Sequence, residues 1–176
     1  MSKTFVGILV MTKLKLEENS PEELVALLQR RGKINTENDN GFKWQSFTGL
    51  CEVTSYGKAD IGETPEEALK REMTEELGPR AAETILNGQI QKLYEKVEAD
   101  NDTVFVWTTL CDKNILKEIK LDISTGGIEI ITEKDLSSLK FASFADKGIK
   151  ENDLNKLVVF ETPIEAIRSA FNLYKN

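Results

Sequence analysis

The stretch GKADIGETPEEALKREMTEELG, Gly57 to Gly78, decides how the chain is read. Thr64-Pro65-Glu66-Glu67 within it is a helix start: a hydroxyl to cap, proline at the first helical position, and a glutamate placed to reach back to the cap. Gly78-Pro79 is a stop, since glycine accepts the cap conformation and proline cannot continue a helix. The spacing predicts a helix over Pro65–Leu77. On it Leu69, Met73 and Leu77 form an apolar stripe for a core. Glu72, Glu75 and Glu76 share the adjoining face at i, i+3 and i+4. Like charges at that spacing cost roughly 0.2–0.5 kcal/mol per pair, and acids near a helix C-terminus oppose the macrodipole. Two readings stand at this point. One is a solvated acidic face whose cost is met elsewhere. The other is a seat for a hard divalent cation, which reverses both penalties. Oxygen-only ligands suit Mg²⁺ or Mn²⁺, with waters and phosphate completing the shell.

Outward from this helix the chain alternates strands and loops. Thr4 to Thr12 is rich in Val, Ile and Phe and reads as a central strand. Leu24 to Arg31 is ambiguous on local grounds: Ser20-Pro21-Glu22-Glu23 resembles a helix start, yet the apolar run is as short as a buried strand. Phe47 to Thr54 reads as a strand and Ser55 to Glu63 as glycine-bearing loop. Ile90 to Glu98 and Thr103 to Cys111 flank Ala99-Asp100-Asn101-Asp102 and form a hairpin. In the second run Val104 and Val106 alternate with Phe105 and Trp107, so both faces are apolar and the strand is central in a covered sheet. Ile128 to Thr132 is a further short strand. Thr162-Pro163-Ile164-Glu165 repeats the cap signature and opens a C-terminal helix over about 162–174. No repeat or linker interrupts the chain, which predicts one domain over 1–176.

Composition sets the limits. The chain has 176 residues, enough to bury about two-thirds of its unfolded surface without a metal or disulfide staple. It contains no histidine, which removes His-based triads, imidazole zinc sites and histidine general bases. Proton chemistry then falls to carboxylates, lysine, tyrosine, cysteine or water on a metal. With 23 Lys+Arg against 30 Asp+Glu, the net charge is −7, and an acidic chain lacks the field that draws long nucleic acid. Small phosphorylated ligands remain open, because a bound cation inverts the local sign. Cys51 and Cys111 form no CxxC motif and read as buried thiols of a reducing compartment. Phe5 to Met11 fits a buried strand better than a signal peptide, and no run approaches the ~20 apolar residues that span a bilayer. These features predict a cytoplasmic protein without a membrane partner.

Gly57, Glu63, Arg71-Glu72-Met73, Glu75-Glu76 and Gly78 together match G-x5-E-x7-R-E-U-x-E-E-x-G, U being bulky and aliphatic, so the stretch resembles the Nudix box. At roughly 7 per cent usage per residue type, seven fixed positions coincide by chance about once in 10⁸ starts, which excludes accident. Two positions depart from the pattern. Pro79 replaces the final aliphatic residue, which bears on how the helix exits. Tyr56 stands where a glycine often precedes the box, so the loop approaches phosphate less closely. Leu27-Leu28-Gln29-Arg30-Arg31 is similar to the family's strand before the box, which decides Leu24–Arg31 in favour of strand. Gly127-Ile128-Glu129 through Leu136 is similar to its late strand and acidic segment.

The resemblance implies a fold: an α/β/α sandwich with a mixed, mostly covered β-sheet, the box helix and a C-terminal helix. It also implies an activity, metal-dependent cleavage of the pyrophosphate in a nucleoside diphosphate linked to another moiety, by water attack at phosphorus. By position, Glu72, Glu75 and Glu76 are the metal-ligand candidates for Mg²⁺ (or Mn²⁺), with the Gly57 carbonyl and, through water, Glu63. Arg71 orients a box carboxylate. Glu72 is the first candidate for the base. Glu129 is the best later acid, with Glu95 and Glu98 behind it. Arg30, Arg31 and Lys58 are candidates to meet substrate phosphates, and Trp44 and Tyr94 to stack on a base, where Trp107 reads as packing. The partner is a small nucleoside diphosphate derivative; a homodimer is a further expectation of the family. Competing readings are a nucleotide-binding or regulatory module without turnover and an isopentenyl-diphosphate-isomerase-like enzyme, for which a full set of further catalytic residues is not securely placed in this sequence.

Overall fold

The computed structural model describes residues 2–31, 50–98, 101–121, 125–142 and 158–175; residues 31, 50, 140–142 and 158–163 are placed by backbone. In chain order the elements are β1 (Thr4–Leu14), β2 (Glu23–Arg31), β3 (Leu50–Glu52), β4 (Ser55–Lys58), α1 (Pro65–Leu77), α2 (Pro79–Leu86), β5 (Gln91–Val97), β6 (Thr103–Leu110), α3 (Ile115–Glu118), β7 (Thr125–Thr132), a 3-10 turn (Glu133–Ser137), β8 (Lys140–Ala142), β9 (Val158–Phe160) and α4 (Glu161–Tyr174).

The strands form one mixed sheet in the order β5-β6-β1-β2-β3-β9-β8, with β4 also on β1 and β7 also on β2. β1 runs parallel to β6 and antiparallel to β2 and β4. Its centre is covered on both sides, which is why it reads as an unbroken apolar run. Val6, Ile8 and Val10 face a buried layer with Leu69, Met73 and Leu77 of α1, Ala81, Ala82 and Ile85 of α2, and Ile115 of α3. Leu9 and Met11 face the opposite layer with Ile164, Ile167, Ala170 and Phe171 of α4. Helices therefore cover both faces, and the expected α/β/α sandwich is what the chain forms.

β1 and β2 part company midway, and this fork positions the site. Residues Val10–Leu14 pair with β2, whereas Phe5–Ile8 pair with β4. Thr54, at the bend between β3 and β4, sits in the fork: its hydroxyl accepts from Val10 N at 2.7 Å and donates to Leu27 O. One hydroxyl, being both donor and acceptor, closes the two backbone groups that the parting strands leave open.

The α1 start forms as its sequence dictates. Thr64 caps Glu67 N at 3.3 Å, and Glu67 Oε2 accepts from Thr64 N at 2.9 Å. Leu24–Arg31 is strand, as the resemblance decided, and the local helix start at Ser20 is a turn in which Ser20 Oγ donates to Glu17 O. Three expectations are corrected, and one helix stop also proves to be a helix start. Ser55–Lys58 is strand rather than loop, because β1 recruits its backbone despite a weak apolar pattern. Gly78-Pro79 ends α1 at Leu77 as expected, and a second helix follows at once: Gly78, at φ 87°, turns the chain and Pro79 becomes the first residue of α2. The late strand begins at Thr125, three residues before its apolar run, since β2 continues to pair with it. Within the described part of Phe47–Thr54, the strand covers Leu50–Glu52. β5 and β6 are the expected antiparallel hairpin, with Asn101 at φ 64° in its turn; residues 99–100 lie outside the described residues. No described helix is long and apolar enough to cross a membrane.

Candidate active site

β4 delivers Gly57 and Lys58 alongside α1, and the loop to Thr64 folds back over the helix. Arg71 organises the junction. Its Nε and Nη2 grip Glu63 in a two-pronged pair, each at 2.9 Å. Its Nη1 donates to Glu72 Oε1 at 2.9 Å and Glu75 Oε2 at 3.3 Å, and Nη2 also reaches the Lys58 carbonyl at 2.9 Å. The planar fork of arginine permits this set; a lysine ammonium has no such geometry. Glu63 accepts Asp60 N as well, at 2.8 Å, and these bonds hold its carboxyl down at about 2. The arginine is correspondingly pushed above its ordinary range, first by Glu63.

Glu72 lies against Gly57 so closely that a Cβ there would stand 1.9 Å from its carboxyl carbon. Burial raises the Glu72 carboxyl, opposed by its bond to Arg71. Glu76 turns inward to the sheet. Its Oε2 accepts from Ser55 Oγ at 2.7 Å and Tyr56 N at 3.0 Å, and its Oε1 from Gln29 Nε2 at 3.3 Å. Burial still lifts it to about 7. Two carboxylates are thus held at the sheet against the cost of their own desolvation.

Among the described residues no three Asp, Glu, Cys or His side chains form a ready-made metal cage. The donor set nonetheless fits a hard ion. Glu72 and Glu75 converge on one Arg71 nitrogen, all donors are oxygen, and Mg²⁺ takes one or two carboxylates with waters and phosphate oxygens.

The other anticipated residues are placed as follows. Lys58 is exposed beside the box. Arg30 pairs with Glu129 across β2 and β7. Both continue the side of β2 that carries Ala26 and Leu28, the α4 side of the sheet, whereas Gln29 continues the Val25–Leu27 side facing α1. The structure therefore does not bring Glu129 and Arg30 into the box cluster; it brings them to each other. Tyr94 packs into the α4-side layer, and burial raises its phenol. Glu95 pairs with Lys92 at 3.0 Å and Glu98 lies 3.8 Å from Lys96, both on the hairpin. Arg31 ends β2 by its backbone, and Trp44 lies outside the described residues. Sequence reasoning passed over Gln29 and Ser55, which hold Glu76. The available signal was Gln29 itself, a polar residue breaking the inward run Val25, Leu27.

A family model of the NUDIX domain matches residues 14–151. The chain belongs to the Nudix family. Similar solved structures share this fold. A MutT/Nudix family protein from Listeria innocua superposes with a TM-score of 0.59 at 15% identity, over 98% of this chain and 94% of that one. The NUDIX domain of Shewanella oneidensis NrtR, solved with ADP-ribose, gives 0.57 at 15% identity, over 98% and 88%. A MutT/Nudix protein from Enterococcus faecalis gives 0.56 at 15%, over 98% of this chain and 62% of that one. No curated protein sequence matches the chain.

Proposed function

We propose that this Nudix protein is a divalent-metal-dependent pyrophosphohydrolase acting on a nucleoside diphosphate joined to a second moiety. The observation that carries the reading is the convergence of Glu72 and Glu75 on one Arg71 nitrogen, with the Glu72 carboxylate seated on Gly57. A solvated acidic face has no need of a glycine under one carboxylate and an arginine fork across three.

Glu75, Glu76 and the Gly57 carbonyl would hold Mg²⁺ or Mn²⁺, with Glu63 bracing the loop. When bound, the ion offsets the diphosphate charge and makes water a stronger nucleophile. Glu72, half-buried and raised by burial, accepts the proton of the attacking water. Arg71 fixes Glu72 and Glu63 relative to each other and keeps the loop on the helix. Lys58, exposed at the end of β4, meets a phosphate. Arg30 and Glu129 satisfy each other on the α4 side and serve there as a strut between β2 and β7. ADP-ribose, the ligand of the NrtR domain, belongs to the proposed substrate class.

The test is formation of the two phosphorylated cleavage products, separated by chromatography, with Mg²⁺ or Mn²⁺ from nucleotide sugars, dinucleoside polyphosphates, ADP-ribose, coenzyme A, capped RNA and nucleoside triphosphates. Turnover of at least one, abolished by chelator and by Glu75→Gln, is expected. Inactivity on all of them, or a Glu75→Gln variant as active as wild type, ends the reading.

A further inference from the structure

Gln29 is 3% exposed and spans three elements. Its Nε2 donates to Glu76 Oε1 on α1 at 3.3 Å and to Thr125 Oγ1 on β7 at 2.8 Å. Its Oε1 is buried and has no partner among the described residues. Turning the amide would set Oε1 against the ionised Glu76 carboxylate, acceptor against acceptor. A buried carbonyl without a partner is a stability cost, and an apolar residue in line with Val25 and Leu27 would avoid it. Packing does not explain Gln29; the donor it supplies does.

The lone pairs of Glu76 show what that donor is for. A carboxylate offers about four acceptor sites. Ser55 Oγ and Tyr56 N take both sites of Oε2. Gln29 takes one site of Oε1 and so fixes the direction of the remaining one. Ser55 and Tyr56 anchor one end of the carboxylate; among the described residues it is Gln29, from another strand 47 residues away, that holds the other end and sets its rotation.

We propose that Gln29 is a positioning residue: it orients the free lone pair of Glu76 Oε1 toward the divalent cation. The inference rests on the hydrolase reading of the box.

The test compares Gln29→Met, which keeps length and loses the amide, with Thr125→Val, which removes the other acceptor of the same Nε2. Mn²⁺ binding to the full chain is measured by calorimetry, and steady-state kinetics use whichever diphosphate the screen identifies. Gln29→Met is expected to weaken Mn²⁺ binding about 10–100-fold and to lower kcat with the KM for the nucleotide unchanged. Thr125→Val is expected to leave both as in wild type. In a Glu76→Gln background Gln29→Met should cost nothing further in kcat, since it acts through Glu76. If Gln29→Met does not fold, Gln29→Asn, whose amide is withdrawn by one methylene, replaces it with the same expected losses. Undiminished Mn²⁺ binding, an equal loss in Thr125→Val, or a cost that adds in full to Glu76→Gln overturns the proposal while the hydrolase reading stands. A wild type that neither binds Mn²⁺ nor turns over any diphosphate sinks both.

Discussion

Gly57 has no side chain, and the Glu72 carboxylate occupies the space that one would fill. A Cβ would meet its carboxyl carbon at 1.9 Å and both oxygens at 2.2 Å. The atoms in the way are the end of a flexible side chain, so Gly57→Ala is expected to fold and to push Glu72 aside. Thermal melts should move little, while kcat falls about 10–100-fold, as for other losses of ligand or base orientation. An alanine variant with wild-type turnover would show that the close approach is dispensable. This contact was half legible in the sequence. The spacing of Gly57 to Glu72 and Glu75 marked the residues, but the reason for the glycine lies in a helix side chain fifteen residues on, which only the folded loop brings near. Gln29 was less legible still, because its meaning comes from Glu76 across 47 residues. Arg30 and Glu129 each looked like a free charge with a task, and in the fold they neutralise each other.

Elements were readable where local chemistry and tertiary context agree. The Thr64 capping box and the inward stripe of Leu69, Met73 and Leu77 specify α1 twice over. β4 was hidden because Ser55–Lys58 has almost no apolar pattern and is held by backbone pairing to β1. α2 was hidden behind punctuation that serves two helices at once. Gly78 ends α1, with Lys120 N closing Leu77 O at 2.8 Å, and its own carbonyl receives Ala82 N at 3.1 Å as α2 begins. At φ 87° and ψ 155° Gly78 occupies backbone space essentially reserved for glycine, and a Cβ would lie 3.3 Å from that of Lys120. Gly78→Ala is therefore expected to cost about 1–3 kcal/mol, read as a lowered urea midpoint with unchanged slope. An unchanged midpoint would mean that the junction relaxes without strain. The acidic last turn of α1 contains no basic residue of its own, and the guanidinium that reaches it, at Glu75, comes from Arg71 one turn earlier.

At the scale of the whole molecule, the sandwich was legible because β1 and β6 are apolar on both faces, which requires helices above and below. The division of labour between the faces was not: α1 presents acids at the fork, while the α4 side is an apolar layer that encloses Cys51. That layer makes the molecule sensitive to alkali. Burial pushes the Cys51 thiol from its ordinary 9.0 up to about 12, despite the nearby charge of Arg30. Burial also raises Tyr94, Cys111 and Tyr174. Each of these groups keeps its proton in the folded state above the pH at which the unfolded chain releases it. For Cys51 the contribution is complete below pH 9 and is lost as pH rises toward 12, by up to about 1.4 kcal/mol per pH unit across that window. Urea midpoints measured at pH 7, 9 and 10.5 should fall with pH in the wild type. Cys51→Ala leaves a cavity and should lower all three midpoints, yet flatten the decline above pH 9 because the titrating group is gone. A variant with the wild-type slope would place the alkaline sensitivity in Tyr94, Cys111 and Tyr174 and not in Cys51.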